Sequence, residues 1–121
     1  MAALAANPDR IKKLFKTIIP NQSGCYVLNL YVNGTPQEVV VDDYIPVIAG
    51  EPRFGSCKPE GEKAVVWVSL LEKAWAKLCG NYENIIMGTV DMGFIHLCGV
   101  PSIAYKHQEY KNKRDILFSN L

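Results

Sequence analysis

Several residues in this sequence have types and spacings that could perform chemistry. Asp42 and Asp43 are adjacent carboxylates, which could act as an acid/base pair or bind a metal. His96 lies two residues before Cys98, so it could act as a catalytic base or join a metal site. Glu72 lies within the stretch WVSLLEKAWAKLCGNYE, residues 67–83. The first question is whether these residues react or only support other residues that do.

Simpler structural interpretations exist for the same residues. Adjacent strand residues point to opposite faces, so we interpret Asp42 and Asp43 as capping a strand end and bonding neighbouring backbone N–H groups. No second ligand pair with finger-like spacing accompanies His96 and Cys98, so we expect no zinc. No cysteine or serine partner for His96 can be argued from the sequence, which favours a packed histidine.

The stretch 67–83 has the periodicity of an amphipathic helix. Lys73 and Lys77 fall on its polar side, and Gly80 is placed to end it. Glu72 lies beside the apolar stripe, where we expect a partly exposed carboxylate paired with a lysine. Cys79 is interpreted as a small buried hydrophobic residue. The apolar stripe consists of Trp67, Leu70, Leu71, Ala74, Trp75 and Leu78.

Two helices are predicted near the N-terminus. Residues 2–6 are rich in alanine, and Asn7 can cap a second helix that starts at Pro8. Ile11, Leu14 and Phe15 fall on one face of that second helix. A helix over 91–99, ended by a glycine, and a basic helix from about residue 106 are predicted further along the chain.

A β-hairpin is predicted between these helical regions. The run GCYVLNLYVNG ends at Asn33-Gly34, a strong turn signal. The return strand, residues 38–43, is nearly all apolar, so we expect it inside a sheet. Pro36 suggests a turn longer than two residues. Residues 45–64 are rich in proline and glycine, which predicts a long surface loop.

Composition indicates a globular domain and excludes some function classes. Of 121 residues, 49% are hydrophobic and 21% are charged, with a net charge of +1. That charge does not favour nucleic acid or an anionic membrane as a partner, and no apolar run is long enough for a membrane span. We see no signal peptide, so we expect Cys25, Cys57, Cys79 and Cys98 to be free thiols in the cytoplasm. His107 is expected to be solvated.

Four segments resemble the calpain family of papain-like cysteine proteases. They are ANPDRIKKLF, VVVDDYIPV, VWVSLLEKAWAKLCGNYENIIMGT and MGFIHLCGVPS, and the resemblance extends over nearly the whole chain. The resemblance implies an α+β fold, a fragment of a catalytic domain with helices packed on a short β-hairpin. It assigns residues 1–98 to the first catalytic subdomain after the nucleophile motif. Residues 99–121 become the junction and the start of the second subdomain.

The resemblance also implies a chemistry whose residues do not occur in this sequence. A calpain uses a Gly-Asp-Cys-Trp motif, an upstream glutamine, a histidine and an asparagine, which must act together because a thiol needs a base and oxyanion donors. None of the four cysteines or two histidines here matches those motifs. We therefore assign no catalytic residue and expect these residues alone to be inactive. The alternative is a non-catalytic, calpain-like structural or interaction subunit, a pseudoenzyme.

Two positions match functional residues of the family. Glu83 resembles a calcium ligand of the first subdomain, although it could equally be a plain surface carboxylate, because Ca²⁺ needs six to eight oxygen ligands. Gly99 resembles a glycine that contacts the substrate backbone, although Cys98 replaces its usual glycine neighbour. We further expect a protein partner, or the remainder of a calpain domain, to cover apolar surface near the N-terminus.

Overall fold

The computed structural model describes residues 2–17, 22–55 and 65–105. Helices α1 (Ala2–Ala5) and α2 (Pro8–Leu14) precede strands β1 (Cys25–Val32) and β2 (Thr35–Asp42). Two short strands, β3 (Val47–Ile48) and β4 (Glu51–Pro52), come next. They are followed by α3 (Trp67–Cys79), a 3₁₀ helix (Glu83–Ile85) and α4 (Val90–Cys98). The fold is therefore α+β, as the sequence predicted.

The β1–β2 hairpin turns at Asn33 and Gly34. Their φ angles of 50° and 76° are those of a two-residue turn that matches the twist of an antiparallel pair. Val32 pairs directly with Thr35, so the expectation of a longer turn was wrong. Pro36 does not break β2, because its register position directs the missing N–H away from β1.

The prediction that residues 38–43 lie inside a sheet was also wrong. Strand β2 begins at Thr35 and pairs only with β1 among the described residues, so no described strand lies along its outer edge. Its side chains alternate: Val39 and Val41 are buried, whereas Val40 is 46% exposed. An apolar run does not reveal how many strands flank it, because a run of valines suits both buried and half-exposed strands.

One hydrophobic core holds the hairpin against the helices. Leu28 and Leu30 of β1 and Leu71 of α3 are fully buried in it. Of the predicted stripe of α3, Leu70, Leu71 and Ala74 lie in this core, and Trp67 and Leu78 pack at its margin. Trp75 contacts His96 instead. The core is a single cluster of Leu4, Leu14, Tyr26, Leu28, Leu30, Val39, Val41, Leu70, Leu71, Ala74 and Leu97.

The junction between α1 and α2 follows the predicted cap. The Asn7 side chain accepts a hydrogen bond of 3.1 Å from the Asp9 N–H, and Pro8 occupies the first turn. Leu14 is buried, and Ile11 and Phe15 pack against the core. The predicted amphipathic face of α2 is confirmed.

Two further predictions concern the helix near residue 95 and the loop at residues 45–64. Helix α4 spans Val90–Cys98 and ends at Gly99, which confirms the predicted helix there. The predicted loop contains the small β3–β4 hairpin, because Ala49 and Gly50 take positive φ angles that close it. Residues 56–64 of that loop, which include Cys57, lie outside the described residues, as do His107 and the predicted basic helix.

Candidate functional site

Side chains of helix α3 bind the backbone of the segment that follows β4. Glu72 Oε2 accepts a hydrogen bond of 2.6 Å from the Gly55 N–H, and the Ser69 hydroxyl donates to the Gly55 carbonyl at 2.8 Å. The two side chains lie one turn apart and bind both polar groups of Gly55. We call this arrangement the Gly55 clamp. Contrary to the prediction, no lysine of the described residues pairs with Glu72, whose carboxylate binds the Gly55 backbone instead.

An aromatic stack extends the Gly55 clamp toward the 3₁₀ helix. The rings of Phe54 and Tyr82 are nearly parallel, with their centroids 4.2 Å apart. The Arg53 guanidinium lies over the Phe54 ring, 5.5 Å from its centroid. Burial, together with the nearby carboxylate of Glu72, raises the pKa of the Tyr82 hydroxyl above its ordinary value. The stack therefore holds the Tyr82 ring against Phe54, next to Glu83 in the sequence.

Asp42 ends β2 in the way the structural interpretation predicted. Its Oδ1 accepts a hydrogen bond of 2.9 Å from the Tyr44 N–H. It also accepts one of 2.5 Å from Lys73, which in addition donates to the Asp42 and Tyr44 carbonyls. The lysine hydrogen bond, followed by the backbone one, holds the pKa of Asp42 below its ordinary value. Asp42 is thus committed to an ion pair that fastens the end of β2 to α3.

Lys77 acts on the same strand one helical turn later. It donates to the Val40 carbonyl at 2.7 Å, on the outer edge of β2. Positive side chains on an open strand edge oppose further strand pairing. The polar side of α3 therefore covers part of the sheet edge.

His96 is a packed residue rather than one half of a catalytic pair. Its Nδ1 accepts a hydrogen bond of 3.2 Å from the Trp75 indole N–H, and the two rings meet edge to face. Cys98 is exposed and lies two residues away on α4, where side chains do not face each other. The interpretation of His96 as a packed residue is confirmed. Cys79 is half-buried, so its predicted burial is only partial.

Glu83 begins the 3₁₀ helix and is exposed. The adjoining turn is held by amides: Asn81 accepts from the Asn84 N–H, and the Asn84 side chain donates to the Cys79 carbonyl. Among residues 2–17, 22–55 and 65–105, no three His, Cys, Asp or Glu side chains gather in a way that could hold a metal ion. Glu83 by itself does not fit calcium, which needs several oxygen ligands.

Gly99 ends α4 with a φ of +65° and lies against the ring of Tyr31. A Cβ at this position would lie 2.5 Å from Tyr31 Cδ1, closer than carbon atoms approach. Gly99 also lines a cleft between the hairpin turn and residues 100–102. The structure thus gives Gly99 a packing reason to be glycine. Its predicted contact with substrate stays a prediction.

Sequence reasoning missed the contacts that fasten α3 to its surroundings. The Gly55 clamp joins residues 14 and 17 positions apart, and Lys73 reaches back 31 positions to Asp42. A partial signal was present, since Ser69 and Glu72, and Lys73 and Lys77, each lie about one turn apart on polar sides of the helix. None of the helices in the described part of the chain has the length and apolar character to cross a membrane.

Comparison with known proteins gives a consistent result. The whole chain, residues 1–121, matches the family described as calpain family cysteine protease. It is 37% identical over 98 residues to the calpain-type cysteine protease DEK1 of Zea mays, a match that covers 80% of this chain and 4% of that protein. It is 37% identical over 103 residues to calpain-10 of Mus musculus, covering 81% of this chain and 15% of that protein.

A shorter match involves calpain-7 of Homo sapiens, which is 41% identical over 63 residues, 52% of this chain and 8% of that protein. The chain thus spans a small part of the length of the relatives it matches. The family match nevertheless covers all 121 residues, including α3 and the hairpin that form the core. The chain belongs to the calpain family of cysteine proteases.

Proposed function

We propose that these residues form a supporting part of a calpain-type catalytic domain and have no peptidase activity by themselves. The observation that carries the proposal is the role of α3, whose apolar side chains form the core and whose polar side chains hold β2 and Gly55. Its charged side chains bind other parts of the fold: Glu72 binds the Gly55 N–H, Lys73 binds Asp42, and Lys77 binds the Val40 carbonyl. None of them is arranged as a nucleophile or a base.

The missing chemistry supports the same proposal. A thiol protease needs a thiolate beside a base and donors for the oxyanion. The Gly-Asp-Cys-Trp motif of the family does not occur in these 121 residues, and His96 is engaged by Trp75. Within the proposal, residues 1–98 belong to the first catalytic subdomain and 99–121 to the junction and the start of the second. The catalytic Cys, His and Asn would come from other parts of a complete domain.

The proposal also covers a calcium ligand, a position facing the substrate and a cellular location. Glu83 would contribute one ligand to a calcium site completed by other chain segments, and no step of the chemistry is assigned to it here. Gly99 would present its backbone toward a substrate cleft. The proposed location is the cytoplasm, a reducing compartment in which the four cysteines would remain thiols.

A second candidate function is a non-catalytic interaction subunit. It is favoured by large apolar side chains exposed around α4, among them Met87 at 91%, Val90 at 78% and Ile103 at 77%. Exposed apolar surface of this kind marks contact with another protein or with the rest of a domain. Both candidates require that a further polypeptide cover it.

The experiment that tests the proposal is cleavage of a fluorogenic peptide by the pure 121-residue chain, with and without calcium. We expect no turnover above buffer, with papain as the positive control. Light scattering on the same sample tests whether apolar surface needs a cover, and we expect association rather than a stable monomer at micromolar concentration. Calcium-dependent turnover that disappears on mutation of one cysteine would refute the proposal.

A further inference from the structure

Two adjoining clefts form a groove between the N-terminal helices and α4. The larger has a volume of about 600 Å³ and the smaller about 240 Å³. Leu4, Arg10, Phe94, Leu97 and Cys98 line both clefts, so the two are continuous. We call this feature the α2–α4 groove.

The floor of the α2–α4 groove is apolar and recessed. Leu4, Leu14 and Leu97 are only 5–7% exposed, whereas Phe94 and Val100 are 45% and 44% exposed. A buried floor beside half-exposed apolar side chains is a surface into which protruding apolar side chains fit. A flat membrane surface would not reach that floor.

The rim of the groove is basic. Arg10 and Lys13 line the larger cleft, and Arg10 lines the smaller one as well. Lys12, Lys16 and Lys73 each pair with a carboxylate, but neither rim cation pairs with any carboxylate of the described residues. Two cations without described counter-ions beside an apolar floor complement a ligand that carries both apolar and acidic groups.

We propose that the α2–α4 groove binds an acidic amphipathic segment of a partner protein. Apolar side chains of the segment fill the two clefts, and its carboxylates pair with Arg10 and Lys13. This inference rests on the proposed function, which requires another polypeptide to cover exposed apolar surface. The inference adds the chemical class of that polypeptide. Its test measures binding and not peptidase activity, so either proposal can fail alone.

The test uses a fluorescein-labelled synthetic peptide with leucines at helical spacing and glutamates between them. A second peptide has lysines in place of the glutamates. Fluorescence anisotropy with the 121-residue chain should show that the acidic peptide binds at least about tenfold more tightly than the basic one. The difference should shrink as salt is added, because the rim charges are exposed and screened.

Variants of α2 separate groove binding from general charge. Combined Arg10→Glu and Lys13→Glu should abolish the preference for the acidic peptide or reverse it. Lys13→Glu alone should weaken the preference for the acidic peptide. Lys12→Glu makes the same charge change as Lys13→Glu on the same helix, but Lys12 lines neither cleft and pairs with Asp9, so it is the matched control for that single variant. We expect it to retain most of the preference. Phe94→Ala should weaken the binding of both peptides, because Phe94 lines both clefts and its removal takes away apolar contact.

Cys98 reports the position of the peptide without any variant. An acidic peptide carrying a chloroacetyl group is attacked by the thiolate, which forms a carbon–sulfur bond and releases chloride. Cys98 lines the groove, whereas exposed Cys25 lines a different cleft. Mass spectrometry should find Cys98 alkylated faster than Cys25, with the ratio falling when unlabelled acidic peptide competes.

Several outcomes would overturn the proposal. They are equal binding of the two peptides, an equal loss of preference in Lys12→Glu, and labelling of Cys25 as fast as Cys98. Binding of the chain to phosphatidylserine vesicles that blocks the acidic peptide would assign the groove to a lipid surface instead. Self-association that disappears in the Arg10→Glu, Lys13→Glu variant would assign it to a second copy of the chain.

Discussion

Replacing Gly99 by alanine should destabilise the fold strongly. The φ of +65° places an L-residue in the left-handed region, which costs ~1–2 kcal/mol. The new Cβ would also lie 2.5 Å from Tyr31 Cδ1, and relieving that overlap adds about 1–3 kcal/mol of packing strain. The free energy of unfolding should therefore fall by roughly 2–5 kcal/mol. At about 4 °C per kcal/mol, the melting temperature should fall by roughly 8–20 °C.

Thermal unfolding followed by circular dichroism measures this effect, with Gly93→Ala as the control. Gly93 lies within α4, and a Cβ there meets no atom within 4 Å. Alanine at that position should leave stability unchanged or raise it by up to ~1 kcal/mol through helix propensity. A double variant with Tyr31→Ala should recover the steric part of the loss. Equal melting temperatures for wild type and Gly99→Ala would refute the reasoning.

Three further predictions concern α3 and its neighbours. Glu72→Ala should lower the free energy of unfolding by ~1.5–3 kcal/mol, because it removes the charged acceptor of the Gly55 N–H, while the exposed control Glu83→Ala should change it by less than ~0.5 kcal/mol in chemical denaturation. NMR titration should find the pKa of Asp42 below its ordinary value of 3.8, and Lys73→Met should bring it back up. Because the folded-state pKa is the lower one, the stabilisation from Asp42 is present above the unfolded-state pKa and is lost as the pH falls through the folded-state pKa; an unchanged titration in Lys73→Met would contradict this. Calorimetry should show calcium binding no tighter than ~10⁻³ M, and micromolar binding abolished by Glu83→Ala would contradict it.

The parts of the fold that follow from short-range signals could be predicted from the sequence. The Asn7 cap, the Asn33-Gly34 turn and the end of α4 at Gly99 each depend on the conformational preference of one or two residues. The apolar stripe of α3 was predictable for a related reason, since a period of 3.6 residues leaves one face for the core.

The errors came from contacts that sequence spacing does not encode. Glu72 has lysines nearby on its own helix, yet its partner is the Gly55 backbone, whose position depends on the path of a long loop. Val40 is exposed because its side chain points to the face of the hairpin opposite Val39 and Val41, which the core does not cover, and an apolar run cannot indicate that. The groove beside Phe94 depends on the packing of three separate helices, so it too could not be predicted.

The candidate site could be predicted only by analogy. The resemblance pointed to Glu83 and Gly99, but the structure shows one as an exposed carboxylate and the other as a residue packed on Tyr31. Neither observation marks its position as functional from this chain alone. The functional roles that the resemblance implies for them would require groups that the described residues do not supply.

Covalent labelling tests the central claim most directly. The pure chain is treated with an epoxide inhibitor of papain-like proteases, with and without calcium, and its intact mass is measured. We predict no adduct, because such an epoxide requires a thiolate activated by a base, whereas iodoacetamide in a parallel sample should modify exposed Cys98. A calcium-dependent, stoichiometric epoxide adduct on any one cysteine would contradict the claim that these residues support a catalytic centre without containing one.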